Sequence, residues 1–252
     1  MSVFVTGRRS ELGRQLARQK TTGRVHINVA GQQANTLLHD GHAWKDFART
    51  ALAGTRRALC TDASLLVHAS FAFVLGRPPK DPLRSLAETI VECENLILAG
   101  PVAACVVRLG YLYGPQSQDL RAYRTAFRLG RPYWAGSRTA GQFHLHHDDA
   151  VSALLAAAKA QNAGRTLYAI GGPPVSFLQF MDDFARRLGT RFPLHVPRIA
   201  EPLFKLVVRK EHMQQVALAM PARAPSPRVP GWKPTWPDYP QGLDQIILAW
   251  NA

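Results

Sequence analysis

The stretch VTGRRSELG, residues 5–13, decides how the rest of the chain is read. Val3–Val5 is apolar, as a short buried strand would be, and a helix is expected from about Ser10 to Gln19. Gly7 stands between them. A glycine turn from strand to helix lets backbone N–H groups approach a pyrophosphate at the start of the helix. The fingerprint of such a turn has three glycines. Gly7 and Gly13 hold the first and last places, and Ser10 stands in the middle one. Gly7, Arg8, Arg9, Ser10 and Gly13 are therefore the candidate phosphate-contacting residues.

Working outward, strand-like and helix-like segments alternate. Val25–Val29 precedes a helix across Trp44–Leu59, and Leu65–Ala69 precedes one across Leu83–Leu98. Ala103–Leu109 is a nearly continuous apolar run, as expected of a parallel strand buried on both faces. Further helices are expected at Leu120–Leu129, Ala150–Ala160 and Phe177–Leu188, with a strand at Thr166–Ile170. This alternation predicts an α/β fold with a parallel, Rossmann-like sheet. From Pro193 prolines accumulate, so a loop-rich tail is expected, ending in a short helix near Leu243–Trp250.

The chain has 252 residues, 46% of them hydrophobic, which suits a single globular unit with a sizeable core. Cys60, Cys93 and Cys105 show no paired spacing and read as reduced thiols of a cytoplasmic protein. No apolar run is long enough to span a bilayer, and no signal peptide precedes the first strand. The formal net charge of +14 comes from scattered basic residues, arginine far outnumbering lysine. A nucleic-acid binder would show a basic run with interleaved aromatics, so an anionic small molecule or nucleotide-like ligand is the expected partner.

Several segments resemble the extended short-chain dehydrogenase/reductases, the family of NAD-dependent sugar epimerases and dehydratases. RLGYLYGP (108–115) resembles the family's strand and substrate-side turn. HLHHDDAVSALLAA (144–157) resembles its His-Val-Asp-Asp helix start. TLYAIGGPPVSFLQFMDDFARRLG (166–189) and PGWKPTWPDYPQGLDQII (230–247) resemble its late strand–helix and its Gly-Trp-x-Pro ending. The pieces follow family order from end to end. The resemblance implies one domain, with a core of about 1–114 and 142–172 and a small substrate cap of about 115–141 and 173–252. It also implies NAD or NADP at Gly7–Gly13 and Ala30. Substrate contacts are implied for Tyr111, Tyr113, Arg131, Arg138, Gln142 and His146.

The chain also departs from that family. A βαβ unit needs about 30 residues or more, yet only KTTGR (20–24) separates the first helix from the next strand. That strand, VHINVAG (25–31), resembles the family's fourth strand, LAGTRRAL (52–59) the helix after it, and VHASFAF (67–73) the fifth. Strands two and three are then missing, and the acidic residue that holds the adenosine ribose goes with them. A partner or second copy is expected to cover the sheet edge so exposed. The catalytic Tyr-x-x-x-Lys pair is absent too. Aligned on Glu94, its positions are Leu86 and Ile90; aligned on Glu92, they are Arg84 and Glu88. Ser70 survives near the family's reactive hydroxyl, but Phe71 takes its register. Ser70 and His68 are the remaining catalytic candidates. The expectation is a Rossmann-like binding protein with lost or altered redox chemistry, the alternative an enzyme of non-standard chemistry in the retained pocket.

Two other constellations compete. His144, His146 and Asp148 have the His-x-His-x-Asp spacing of a zinc hydrolase, but Asp149 stands where a further histidine belongs, so no metal site is assigned. An aspartate of this segment, Asp148 or Asp149, is expected to cap the alanine-rich helix. Glu88, Glu92 and His68 read as a solvated helix face and a core histidine.

Overall fold

In a computed structural model, the described residues are 3–21, 23–32, 47–74, 84–134, 140–190, 194–196, 203 and 224–251. The strands are β1 (Phe4–Thr6), β2 (Val25–Asn28), β3 (Leu65–Phe71), β4 (Ala104–Leu109), β5 (Tyr111–Tyr113), β6 (Gly141–Gln142), β7 (His144–His146), β8 (Thr166–Ala169) and β9 (Val175–Ser176). The helices are α1 (Glu11–Leu16), α2 (Phe47–Leu59), α3 (Arg84–Leu98), α4 (Gln118–Arg128), α5 (His147–Ala157), α6 (Phe177–Arg187) and α7 (Tyr239–Asn251).

The expected parallel sheet is formed, in the order β1-β2-β3-β4-β8. Val5 pairs with Ile27, Val67 with Cys105, and Val107 with Leu167. Strand β3 is buried along its whole length, which explains its nearly unbroken apolar run; β2 is buried too, although His26 and Asn28 alternate with Val25 and Ile27. Two small sheets extend this core: β5 pairs with β7 in parallel, and β6 with β9 antiparallel.

Side-chain alternation sorts the helices onto two faces. Ile27, Val67, Cys105 and Val107 face Leu12 and Leu16 of α1 and Ala150, Ala153 and Leu154 of α5. Leu66 and Val106 face Ala58 of α2 and Ile97 of α3. The strands advance in one direction from β1 to β4, yet α1 lies on the opposite face from α2 and α3. The β1–α1–β2 crossover therefore has the opposite hand to the two units after it. Parallel crossovers are right-handed in about 98% of cases, so this first connection is exceptional.

Helix α1 stops at Leu16, short of the expected Gln19, because Arg18 and Gln19 close the last turn with tighter backbone bonds to Gln15 and Leu16. Helix α2 is described from Phe47, so the expected start at Trp44 lies outside the described residues. Helix α7 begins four residues before the expected Leu243. Its Leu243 and Ile246 join a further, aromatic-rich core cluster with Phe180 and Phe184 of α6. The cysteines are unpaired, Cys60 exposed and Cys93 and Cys105 buried. No helix among the described residues is long and apolar enough to cross a membrane.

Candidate functional site

The opening turn forms as a strand–turn–helix. Gly7 takes φ +91°, and a Cβ there would lie 2.8 Å from the Ala30 amide nitrogen. A Cβ on Gly13 would lie 2.2 Å from the Gly7 carbonyl oxygen. Both glycines are thus demanded by backbone packing: the first by the tight turn against β2, the last by helix-to-turn contact. In the three-glycine fingerprint those are the structural roles of the first and third, and the middle one admits the pyrophosphate. Ser10 holds that middle place and closes the turn on itself. Its Oγ donates to the Gly7 carbonyl at 2.9 Å and accepts from the Gly13 N–H at 3.1 Å. Arg8 and Arg9 are exposed beside it, and Ala30 is buried under the turn.

Beyond this turn, the ends of β2 and β3 are tied by side chains. Asn28 accepts the Ala30 N–H on its Oδ1, so its Nδ2 donates to Nδ1 of His68 at 3.0 Å. His68 is thereby a neutral core imidazole whose proton sits on Nε2, and burial pushes its pKa down to about 4. The Gln32 amide donates to the carbonyls of Ala69 and Ser70 at 3.0 and 3.2 Å.

Ser70 is fully buried and donates its hydroxyl to Glu94. Glu94 in turn receives Arg108 through two bonds, at 2.9 and 2.6 Å, and Arg108 donates to the Tyr168 hydroxyl at 2.8 Å. This Ser70–Glu94–Arg108–Tyr168 chain pins α3 to β3, β4 and β8. Phe71, in the register of the family's reactive hydroxyl, is buried edge-on against Phe47 with ring centres 5.5 Å apart. Neither alignment of α3 provides an acid/base pair. Ile90 is buried and Leu86 packs on the core, while Arg84 and Glu88 form an exposed ion pair at 2.7 Å.

On the substrate side, Tyr113 lies opposite His146 and Tyr111 opposite His144 on the β5–β7 pair, while Gln142 pairs with Val175 in the separate β6–β9 sheet; all are buried except Val175. Tyr113 meets the His146 ring edge-on at 5.4 Å and Phe180 at 5.4 Å. Burial, with Asp149 and Asp238 nearby, raises its phenol well above the usual tyrosine range. Arg131 lies apart, exposed after the C-terminus of α4, and Arg138 lies outside the described residues.

Neither aspartate of the His-rich segment caps α5. The cap is His146, whose Nδ1 accepts the Asp148 N–H at 3.3 Å; its own extended backbone puts it one place before the first helical residue. Asp149 reaches instead into the tail, accepting the N–H groups of Thr235 at 2.6 Å and Trp236 at 3.0 Å. His144 packs on Phe180 at 4.3 Å, and burial takes its pKa down to about 3. Among the described residues no cluster of three or more His, Cys, Asp or Glu could hold a metal ion.

Two arrangements went unread in the sequence. The Glu94–Arg108 pair is one, although Glu94 in an apolar helix face opposite an arginine in an apolar strand was a visible signal. The other is in the cap, where Asp182 accepts from Tyr133 Oη at 2.8 Å and pairs with His195 Nε2 at 2.8 Å. No sequence spacing brings Tyr133, Asp182 and His195 together.

Comparison with solved structures places this geometry. A human epimerase family protein solved with NADPH superposes with a TM-score of 0.74 at 16% identity, over 98% of this chain and 99% of that one. A UDP-glucose 4-epimerase from Thermotoga maritima, solved with UDP-glucose, gives 0.66 at 11% identity, over 100% and 99%. The chain has the extended short-chain dehydrogenase/reductase fold. Among curated proteins, a 3-diazoavenalumate denitrifying reductase from a Streptomyces species is 29% identical over 232 residues, 91% of this chain and 71% of that protein. No family model matches the chain.

Within this fold, the 7–13 turn keeps the two structural glycines of a strand-to-helix turn, with Ser10 bonded across it in the middle place. Strand β3 and helix α3 carry no tyrosine and no lysine.

Proposed function

We propose that this protein is a nicotinamide-dependent reductase that works without the tyrosine–lysine acid/base of its fold. The observation that carries this is that apolar side chains, buried Phe71 and Ile90 and half-buried Leu86, stand at the positions aligned with the reactive groups, while the strand–turn–helix at Gly7–Gly13 still forms. The backbone of Gly7–Ser10 and the guanidinium groups of Arg8 and Arg9 would hold the pyrophosphate, with Ala30 beneath it. A reduced nicotinamide supplies hydride.

The hand of the first crossover supports a shortened sheet. In the order 3-2-1-4-5-6 the first helix leads away from strand four, toward strand two. Helix α1 keeps the face it would have there, while the chain returns directly to β2 on the other side. Excision of strands two and three, with the ribose-binding carboxylate, produces this arrangement. The adenosine half of the cofactor then needs other contacts, and the two arginines of the turn offer charge for it.

A site without the fold's usual tyrosine–lysine proton donor suits acceptors whose reduction generates no alkoxide. An acceptor carrying its own leaving group is one such class. A diazonium carbon that gains hydride and expels dinitrogen, R–N₂⁺ + H⁻ → R–H + N₂, balances in atoms and charge with no proton from the protein. The reductase name of the 29% identical relative points the same way. A second reading, a binding protein without redox chemistry, is favoured by Gln32, which spans the ends of β2 and β3 by its bonds to Ala69 and Ser70.

Calorimetric titration with NAD⁺, NADH, NADP⁺, NADPH and ADP tests this. Micromolar binding of a reduced dinucleotide, abolished by Gly7→Val, is the expected result, followed by nicotinamide oxidation with an aryl diazonium salt but not with a ketone. Binding with no turnover of either acceptor selects the second reading. No binding of any of the five ligands by the folded protein removes the cofactor assignment.

A further inference from the structure

We propose that the outer face of α4 is a docking surface for an acidic segment of a partner protein. At 100° per residue, Arg121, Arg124 and Arg128 fall within about 60° of one another on the helix. The chain then turns at Gly130, and Arg131 extends the row, its N–H returning to the Ala126 carbonyl at 2.9 Å. Arg121, Arg128 and Arg131 are exposed, and Arg124 is half-buried with its Nε unpaired.

Several arginines elsewhere find acids: on helices Arg14 pairs with Glu11, Arg84 with Glu88, Arg186 with Asp183 and Arg187 with Asp244, and on β4 Arg108 pairs with Glu94. None of the four on this row has an acidic partner among the described residues. The acid of α4 itself, Asp119, is buried at the other end, where it accepts the Leu120 N–H. Arg121, whose guanidinium also reaches the Pro115 carbonyl, Arg124 and Arg128 share one helix face, and a row of carboxylates would neutralise it through forked hydrogen bonds.

The chemistry of the patch selects a protein over a nucleic acid or a membrane. The neighbouring Trp250 cannot serve as a stacking platform for bases. Arg121 and Arg124 lie over its ring at 5.6 and 5.1 Å, and its indole N–H is donated to the Pro115 carbonyl at 2.7 Å. Leu129, by contrast, is 61% exposed at the C-terminus of α4, next to Arg128. An apolar side chain beside arginines is covered by a partner that sets an apolar residue among its acidic ones, an apolar centre within a polar rim. One leucine is too little apolar surface to hold a helix in a bilayer.

The test uses the whole protein and four probes at fixed salt: a peptide of repeating Glu-Glu-Leu, a glutamate-only peptide of equal length, oligo(dT), and phosphatidylserine vesicles. The Glu-Glu-Leu peptide is expected to bind most tightly and to weaken about tenfold or more in Arg128→Gln/Arg131→Gln. Leu129→Ser should weaken that peptide and leave the glutamate-only peptide unchanged. The control Arg56→Gln/Arg57→Gln removes two exposed charges from α2 and should change neither. Thermal melts check that each variant is folded, and Arg128→Gln alone serves if the double variant is not. An equal loss in the control variant would reduce the effect to net charge and overturn the proposal. So would tighter binding of oligo(dT) or vesicles through the same arginines, or no peptide binding at all.

Discussion

Ser70 shows how one residue's place in a network decides between chemistry and architecture. Its hydroxyl is committed to Glu94, and Glu94 is committed to Arg108, all with little access to solvent. Breaking a buried ion pair by neutralising one partner strands the other charge, at a cost of roughly 3–5 kcal/mol. Glu94→Gln is therefore expected to lower the urea midpoint strongly, whereas Ser70→Ala removes one hydrogen bond to the carboxylate and costs less, about 1.5–3 kcal/mol. Equilibrium denaturation of the two variants checks the ranking; equal losses would mean that Arg108 finds compensation elsewhere. His68 follows the same logic. A histidine inside an apolar strand was readable as a core residue, but its tautomer was not. That depends on Asn28, which lies forty positions away and is oriented by the Ala30 N–H.

At the level of elements, the strands and the long helices were legible because burial on both faces leaves apolar runs and one-faced burial leaves a helical period. The ends were less so. Helix α5 begins at His147 because His146 is the cap, a role that sequence preference assigns to the aspartates beside it. The reason is long-range: Asp149 is drawn to the tail, where two backbone N–H groups need an acceptor. Trp232 reinforces the same junction by donating its indole N–H to Ser152 at 2.9 Å. Asp149→Ala should therefore leave α5 formed and loosen residues 232–236. Loss of two bonds to a charged acceptor costs about 3 kcal/mol or more, and limited proteolysis should cut the tail while the sheet remains resistant. A variant that loses helical signal instead would place the role of Asp149 within α5.

For the molecule as a whole, periodicity and motif order made the parallel sheet legible. Composition could not reveal which face each helix takes, and so the exceptional hand of the first crossover was hidden. The same packing puts titratable groups where their charged forms are disfavoured. Burial holds His68 near pKa 4, His144 near 3 and His147 near 4, against an ordinary value of 6.5. Between about pH 6.5 and 4 the unfolded chain therefore takes up protons that the folded protein refuses. Stability then rises with pH across this window, by up to about 1.4 kcal/mol per pH unit for each such histidine. It is complete above pH 6.5 and is lost as pH falls toward 4. Urea midpoints measured from pH 7.5 to 4.5 should drop steeply below 6.5. His144→Phe, which keeps a ring against Phe180, should flatten that slope. An unchanged slope in His144→Phe would mean that the ring is hydrated and protonates in the folded state, and that the core formed by β7 and α6 is open to water.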